Sequence, residues 1–372
     1  MMALGVVLSI GVLAIPAGAQ STTTTTAKST GKKVKPLNPR VTVKVPDIQA
    51  SSEGGLYTAM ERGYFNEQGL DIQLITVQGS ADQVSLLATG DLSVGIGAPS
   101  PTFFNAVAKG IDLKFICTWV EQGEGDGALG LYVRKPLLDS GEVKSVADLK
   151  GRTIAISSVA EPFQLEKALQ SADLGVDDVN EVGLAYPDMV TALANGSIDA
   201  AMILEPFGLS SEGRGFAKRL APAGDFYQGP ATFVTSSPAF AKSNPEALER
   251  FLEAFMKGQR DYQRAFFGDG TDKDAITSVL TKYTRIKDPA QYAALEGKQG
   301  LPRIEPDCKL PSAKVVNEYQ DLFIDVGSQP SRIKTATMLD PSVANAALKK
   351  IGKADASVTK STASSTTTTA AK

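Results

Sequence analysis

The sequence predicts an α/β protein made of two lobes of similar architecture, and three observations lead to this class. A βαβ pattern that begins at Gly69 recurs 106 residues later, at Gly175. Patterns typical of strands and helices alternate through most of residues 41–235, as in α/β folds with parallel strands. At 372 residues, with 42% hydrophobic and 21% charged residues, the chain can form two domains with separate cores.

The repeat consists of a strand, a loop, an amphipathic helix and a second strand. Gly90 closes the helix in the first copy and Gly196 closes it in the second; the strand that follows covers residues 92–96 or 198–202. Any two βαβ units share glycine at helix ends and aliphatic core positions, so chance agreement is the alternative. Agreement without gaps favours two related lobes facing each other across a ligand cleft.

The first lobe is predicted to begin with a strand at residues 41–45. A short helix follows and ends at Gly63, and the next strand covers residues 72–77. Ser80 and Gln83 have the spacing of a capping box, which predicts the start of the helix within the repeat.

Further along, Ser100 followed by proline predicts an N-cap, and residues 113–120 form a strand pattern. The Gly-rich residues 123–130 are predicted to cross to the second lobe, whose first strand is residues 153–156. A strand at residues 232–235 returns to the first lobe. Four helical patterns complete the chain, at residues 246–267, 272–284, 289–297 and 311–325. In parallel sheets, ligands bind beyond the carboxyl ends of the strands.

These elements assign residues 39–131 and 231–352 to lobe one and residues 132–230 to lobe two. Residues 1–20 resemble a signal peptide, with an apolar run too short to span a bilayer and the cleavage pattern Ala17-Gly18-Ala19. The protein is therefore predicted to be exported and extracytoplasmic. Residues 21–38 and 353–372 are rich in Ser and Thr and poor in apolar residues, which predicts a disordered tether and a disordered tail.

Composition excludes several functional classes. The chain contains no His, which removes the commonest general base and zinc ligand, so no metal site, cofactor or Ser-His nucleophile is predicted. A net charge of −3 offers no electrostatic case for binding nucleic acid. The two cysteines, Cys117 and Cys308, are either two buried thiols or, in an exported protein, one disulfide.

Five segments, in order along the chain, resemble a known family. Residues 54–71 are similar to the "A-x-x-x-G-Y-F-x-x-x-G-L-D/E-V" opening of the substrate-binding proteins of ABC importers in the nitrate/sulfonate/taurine and thiamine-pyrimidine-precursor group. The other matching segments are residues 87–95, 148–155, 199–206 and 244–254. The resemblance implies a type II periplasmic-binding-protein fold, in which two α/β lobes close on a small solute.

The resemblance also implies a function: a monomeric, non-enzymatic receptor that delivers a solute to an ABC transporter permease at the membrane. Two alternatives stay open. A ligand-sensing domain for a signalling partner would have the same sequence features. A related family makes the thiamine pyrimidine precursor on this fold with an active-site His, and the absence of His here disfavours that chemistry.

Loops at the predicted carboxyl ends of strands offer side chains to the cleft. The candidate ligand-binding residues are Asp47, Ser51, Ser52, Glu53, Ser80, Ser100, Trp119, Glu121, Ser157, Ser158, Tyr186, Glu205 and Phe207. For Ser80, Ser100 and Ser158, N-capping is the alternative that we favour at each position. Ser51 and Ser52 are better candidates, because the two glycines that follow allow a ligand to approach the backbone.

Carboxylates are numerous in these loops, whereas Lys and Arg are missing from them. This favours a zwitterionic aminosulfonate, or an amine-bearing or hydroxyl-rich solute, over a plain anion. Glu205 is the sharpest candidate, since it ends a strand and follows an apolar run; the alternative is a helix-end carboxylate that accepts hydrogen bonds from first-turn amides. Trp119 and Phe207 could stack on a ligand or pack in the core.

Overall fold

The computed structural model describes residues 35–77, 80–157, 162–297 and 299–359; for residues 80–82, 297 and 359 it describes the backbone alone. The predicted signal peptide lies outside the described residues. The strands are β1 Val41–Asp47, β2 Leu70–Thr76, β3 Val94–Gly97, β4 Lys114–Thr118, β5 Glu121–Gln122, β6 Leu129–Arg134, β7 Thr153–Ile156, β8 Asn180–Gly183, β9 Ala200–Leu204, β10 Ala217–Pro222, β11 Gly229–Pro230 and β12 Phe233–Ser236.

Helices pack on both sets of strands. They are α1 Gly54–Glu61, α2 Tyr64–Glu67, α3 Ser80–Thr89, α4 Pro101–Ala108, α5 Lys135–Asp139, α6 Pro162–Gln170, α7 Tyr186–Asn195, α8 Phe207–Gly213, α9 Pro238–Ser243, α10 Pro245–Phe267, α11 Lys273–Tyr283, α12 Pro289–Gly297, α13 Ala313–Asp325, α14 Pro341–Ile351 and α15 Ala356–Thr359. Among the described residues, no helix is both long and apolar enough to cross a bilayer.

The first group of strands is β2, β1, β3, β12 and β4. β1 pairs with β2 in parallel, and β12 lies antiparallel between β3 and β4. The Ser93 N–H donates to the Lys44 carbonyl at 2.9 Å, which places β1 beside β3. The core beneath these strands includes the apolar face of α10, where Phe251, Leu252 and Phe255 are fully buried. Each such side chain contributes about 1.5–3 kcal/mol through burial.

The second sheet has the strand order β10-β6-β9-β7-β8. β7 is parallel to both β8 and β9, whereas β6 is antiparallel to β9 and to β10. The prediction of parallel strands is therefore correct for three pairs, β1 with β2, β7 with β8 and β7 with β9. It is wrong for β6 and β12, which are antiparallel to their neighbours. β6 and β12 follow the two passages of the chain between the sheets, so neither is preceded by the crossover helix that makes strands parallel.

The repeat has the same register in both lobes. Helix α3 begins at Ser80 and α7 at Tyr186, and the strands that follow begin at Val94 and Ala200, each offset by 106 residues. Gly90 and Gly196 follow the two helices with φ of 82° and 77°, which glycine adopts without steric cost. One predicted detail is wrong: Gln83 does not cap α3, because its side-chain amide pairs with the backbone of Ile96.

The chain passes between the two groups of strands through the antiparallel pair β5 and β11. The expected lobe boundary at residues 131/132 falls inside β6, which begins the second sheet at Leu129. Asp126, between β5 and β6, is 4% exposed and accepts hydrogen bonds from the Gly123 N–H at 2.6 Å and from Arg303 Nε at 2.8 Å. This ion pair ties the crossing segment to the chain beyond α12.

Cys117 of β4 and Cys308 form a disulfide, with Cα atoms 4.4 Å apart. Both cysteines are buried, at 0% and 2% exposure. The neighbouring Asp307 accepts hydrogen bonds from Arg260 Nη2 at 2.7 Å and from the Ala354 N–H at 2.9 Å. The turn that carries Cys308 is therefore held by α10 and by the segment after α14 as well as by the bridge.

The ordered chain extends further at both ends than the composition predicts. The Leu37 N–H donates to the Gln68 carbonyl at 3.1 Å, within the part expected to be a tether. In the expected tail, Val358 is 1% exposed and Ser357 Oγ accepts a hydrogen bond from Arg264 Nε. Contacts with α10 and α2 order these residues, a tertiary effect that a low apolar content does not reveal. The tether up to residue 34 and the tail from residue 360 lie outside the described residues.

Candidate functional site

The carboxyl end of β1 brings four of the predicted site residues together. Asp47 ends the strand, and a single 3₁₀ turn, Ser51–Glu53, leads into α1. Glu53 is 2% exposed and accepts hydrogen bonds from the Ile48 and Ala50 N–H groups at 3.0 and 3.1 Å. Its side chain thus faces back toward β1, and it closes the turn instead of standing in a cleft.

The hydroxyl group of Tyr57 links two of these acids. It lies 2.5 Å from Asp47 Oδ1 and 2.7 Å from Glu53 Oε2. Burial raises the pKa of the Glu53 carboxyl to about 7, against hydrogen bonds that lower it. Tyr57 is not among the residues that the sequence predicts for the site, although it lies four residues, about one helical turn, after Glu53.

The two serines of this turn differ in environment. Ser51 is 4% exposed and lies beside Tyr292 of α12, whose hydroxyl contacts Thr284. Ser52 is partly exposed. Of the pair, Ser52 is therefore the residue that remains accessible to a solute.

Of three other candidates in the first lobe, two have structural roles and one is exposed. Ser100 is buried and its Oγ accepts the Phe103 N–H at 3.2 Å, so it is the N-cap of α4. Trp119 is 3% exposed and its ring packs against Phe255 in the core, which leaves no open ring face for a ligand. Glu121 is exposed in β5. The side chain of Ser80 and all of Ser158 lie outside the described residues.

The carboxyl ends of β7, β8 and β9 bring together three predicted residues of the second lobe. The rings of Tyr186 and Phe207 stack with centroids 5.6 Å apart, and Ser157 Oγ lies 3.4 Å from the Tyr186 hydroxyl oxygen. All three residues are partly exposed. They form an aromatic surface with hydroxyl groups at its edge, which we call the strand-end surface.

Glu205, two residues before Phe207 in the chain, is 4% exposed. One carboxylate oxygen accepts a hydrogen bond from the Tyr132 hydroxyl and the other accepts the Leu209 N–H at 2.7 Å. Burial raises the pKa of the Glu205 carboxyl. Gly300, in the chain beyond α12, packs closely against Glu205: a Cβ atom at this glycine would lie 3.3 Å from Glu205 Cγ. The geometry matches the helix-end alternative, with Tyr132 as an additional donor that the sequence did not reveal.

Comparisons with known proteins agree with this architecture. The structure is similar to the alkanesulfonate-binding protein SsuA of Xanthomonas axonopodis bound to MOPS, with a TM-score of 0.64, 19% identity, and coverage of 81% of this chain and 98% of that one. It is also similar to the periplasmic nitrate-binding protein NrtA of Synechocystis, with a TM-score of 0.68, 12% identity, and coverage of 84% and 89%. At these identities the likeness shows the fold, a type II periplasmic-binding-protein fold of two α/β lobes.

Sequence relatives cover most of the same region. A binding protein of Brucella abortus is 28% identical over 293 residues, which cover 76% of this chain and 83% of the relative. A yeast 4-amino-5-hydroxymethyl-2-methylpyrimidine phosphate synthase is 25% identical over 215 residues, covering 54% of this chain and 61% of the enzyme. The family model described as NMT1/THI5 like matches residues 51–264, more than half of the chain. The chain belongs to the NMT1/THI5-like family, and its fold is similar to that of the binding proteins SsuA and NrtA.

Proposed function

We propose that this protein is an extracytoplasmic solute-binding protein that captures a small polar organic molecule and delivers it, as a monomer, to the permease of an ABC importer. The strand-end surface of Ser157, Tyr186 and Phe207 carries the proposal, because it gathers partly exposed hydroxyl and aromatic groups where α/β sheets bind ligands. The fold and the Brucella relative support it.

The state of the acidic residues favours binding over catalysis. Asp47, Glu53 and Glu205 each accept hydrogen bonds from groups of the protein itself. The likeness to the yeast synthase raises the enzyme alternative, but the chain has no His to supply a general base. We infer a receptor in which these carboxylates shape loops. One lobe contains the strands β2, β1, β3, β12 and β4, and the other contains the sheet β10-β6-β9-β7-β8.

For the solute we propose an aminosulfonate, a sulfonate or another amine-bearing molecule. SsuA of Xanthomonas is bound to MOPS, which combines a sulfonate with a ring amine. Among the acidic candidates, Asp47, Glu53 and Glu205 have hydrogen-bond partners within the protein, whereas Glu121 is exposed. The aromatic pair can contact the apolar part of such a solute.

Calorimetric titration tests this proposal with MOPS, taurine, nitrate and a pyrimidine as probes. We expect one of the first two to bind, and Tyr186→Ala to weaken its affinity on the order of tenfold through loss of ring contact. Tyr64→Ala is the matched control, because Tyr64 is a partly exposed tyrosine on α2 that precedes β2, at the opposite end of the strands. Equal losses in both variants, or no binding of any probe, would contradict the proposal.

Glu205→Gln separates a ligand contact from a helix-end role. Because both oxygens of Glu205 already have donors, we expect affinity within about twofold of wild type and a loss of about 1–2 kcal/mol in unfolding free energy. A ten- to hundredfold loss of affinity, on the order of 1.5–3 kcal/mol, would place Glu205 in contact with the solute.

A further inference from the structure

Between Asp47 and Glu53, one hydroxyl hydrogen faces two carboxyl groups. The Tyr57 oxygen is within hydrogen-bonding distance of an oxygen from each acid, at 2.5 and 2.7 Å. A tyrosine hydroxyl has a single hydrogen, so it can donate to only one of them. If both acids were ionised, the second short contact would place two oxygen atoms against each other with no hydrogen between them. A second proton, on one of the carboxyl groups, satisfies both contacts.

Among the residues that the structure describes, no cationic side chain pairs with either acid in place of that proton. Tyr283 of α11 stacks on the Tyr57 ring at 4.8 Å, and its hydroxyl bonds Glu61 instead, as does Lys282. From α10, the Tyr262 ring lies against Gly54 at the start of α1. After α11, Arg285 contributes its backbone N–H to the Gln49 carbonyl. In the described part of the chain, no Lys or Arg side chain forms an ion pair with Asp47 or Glu53.

Both acids also hold the short turn between them. Glu53 accepts the Ile48 and Ala50 N–H groups, and Asp47 Oδ1 accepts the Gln49 N–H at 3.1 Å. Ionising the second carboxyl group places two like charges on the two sides of this turn, in a buried site where such repulsion is poorly screened. Binding or loss of this proton is therefore coupled to the conformation of residues 48–50.

We propose that Asp47, Tyr57 and Glu53 form a proton-binding site, and that loss of its proton loosens the turn of residues 48–50 at the carboxyl end of β1. This site is separate from the strand-end surface and does not depend on which solute binds. It makes the loop that follows β1 sensitive to pH near neutrality. Burial of Glu53, which raises the pKa of its carboxyl to about 7, is consistent with this geometry.

The sign of the effect on stability follows from proton counting. Between pH 4.5 and about 7 the folded protein holds a proton on this site that the unfolded chain has released. The stabilisation is fully present below pH 4.5 and is lost as the pH rises through about 7. Over this window we expect the unfolding equilibrium constant to rise by roughly two to three powers of ten because of this site alone.

The test uses ligand-free protein and three variants: Glu53→Gln, Tyr57→Phe and Glu61→Gln. Glutamine is the isostere of the protonated acid, so Glu53→Gln is expected to lack the fall in stability between pH 4.5 and 7. The difference between the stability curves of wild type and this variant should therefore display that fall. The control is Glu61→Gln. Glu61 is the last residue of α1 and is bonded to Lys282 and Tyr283, so this variant should retain the fall in stability that wild type shows. Glu305, another buried acid whose pKa is raised to about 7, titrates in every variant and cancels in the difference.

Carbon-13 NMR of labelled glutamate side chains gives a direct reading and requires no unfolding. We expect two carboxyl resonances to titrate near pH 7, those of Glu53 and Glu305. Only the Glu53 resonance should be absent in Glu53→Gln and should move to higher pH in Tyr57→Phe, where the hydroxyl donor is lost. Amide exchange of Ile48 and Ala50, corrected for intrinsic rates, should lose protection above that midpoint in wild type. A Glu53 resonance that titrates below pH 5.5, or a midpoint unchanged by Tyr57→Phe, would overturn the proposal, even if Glu53→Gln fails to fold.

Discussion

Removing the Cys117–Cys308 disulfide should lower the unfolding free energy by about 3–5 kcal/mol, near the upper end of the range for natural bridges. The bridge joins residues separated by 191 positions. In the chain-entropy relation, a loop of that length costs the unfolded chain about 18 cal/mol/K, or ~5.3 kcal/mol at 25 °C. Residual compactness of the unfolded chain lowers this value, which sets the lower end of the expected range.

The folded state should survive the substitution, so that the effect falls on the unfolded chain. Arg260 and the Ala354 N–H both hold Asp307, the residue before Cys308, so the turn keeps its anchors without the bridge. We therefore expect Cys117→Ala/Cys308→Ala to retain the circular dichroism spectrum of wild type at 25 °C. Removal of two buried sulfur atoms adds a small packing cost.

Urea unfolding followed by circular dichroism measures the difference. Wild type under strong reductant keeps its sulfur atoms but loses the cross-link, so it separates chain entropy from packing. The same reductant should not affect the double variant, which serves as the control. A loss below about 1 kcal/mol in both the variant and reduced wild type would refute the loop-entropy reasoning.

Three further substitutions probe capping, packing between the lobes and the crossing segment. Ser100→Ala should lose about 1 kcal/mol of stability through the missing N-cap, measured by urea unfolding, whereas Ser100→Gly should lose only a few tenths. Phe163→Ala, on α6 of the second lobe, should lose about 3–5 kcal/mol because its buried ring stacks on Tyr319 of α13 at 3.9 Å; an undiminished melting temperature would contradict this. Asp126→Asn should cost about 1.5–3 kcal/mol by leaving Arg303 without its charged partner, and Arg303→Met in the same background should then add little in a double-mutant cycle.

Local sequence patterns were sufficient to predict most of the secondary structure. The repeat placed α3 and α7, with the strands after them, because hydrophobic periodicity and glycine caps act over a few residues. The same reasoning located α10 and the return strand β12. It missed α14 and α15, the latter within residues that composition assigned to a disordered tail; these segments are ordered by contact with α10.

The candidate site was predictable in outline and not in detail. Strand ends are visible in the sequence, so Ser157, Tyr186 and Phe207 were placed in one region, and the structure brings them together. Whether a side chain at a strand end faces a solute or the protein depends on partners distant in sequence. Trp119 packs on Phe255, and Glu205 is bonded by Tyr132, contacts that no local pattern specifies.

The sequence by itself determined the two-lobed α/β class, the family and the absence of histidine chemistry, because these depend on periodicity, ordered motifs and composition. Tertiary structure alone decided the direction of β6 and β12, the internal partners of the acidic residues and the sharing of the Tyr57 hydroxyl by Asp47 and Glu53. Chain direction within a sheet and the desolvation of a carboxyl group both depend on which distant segments meet, and a local sequence window does not contain that information.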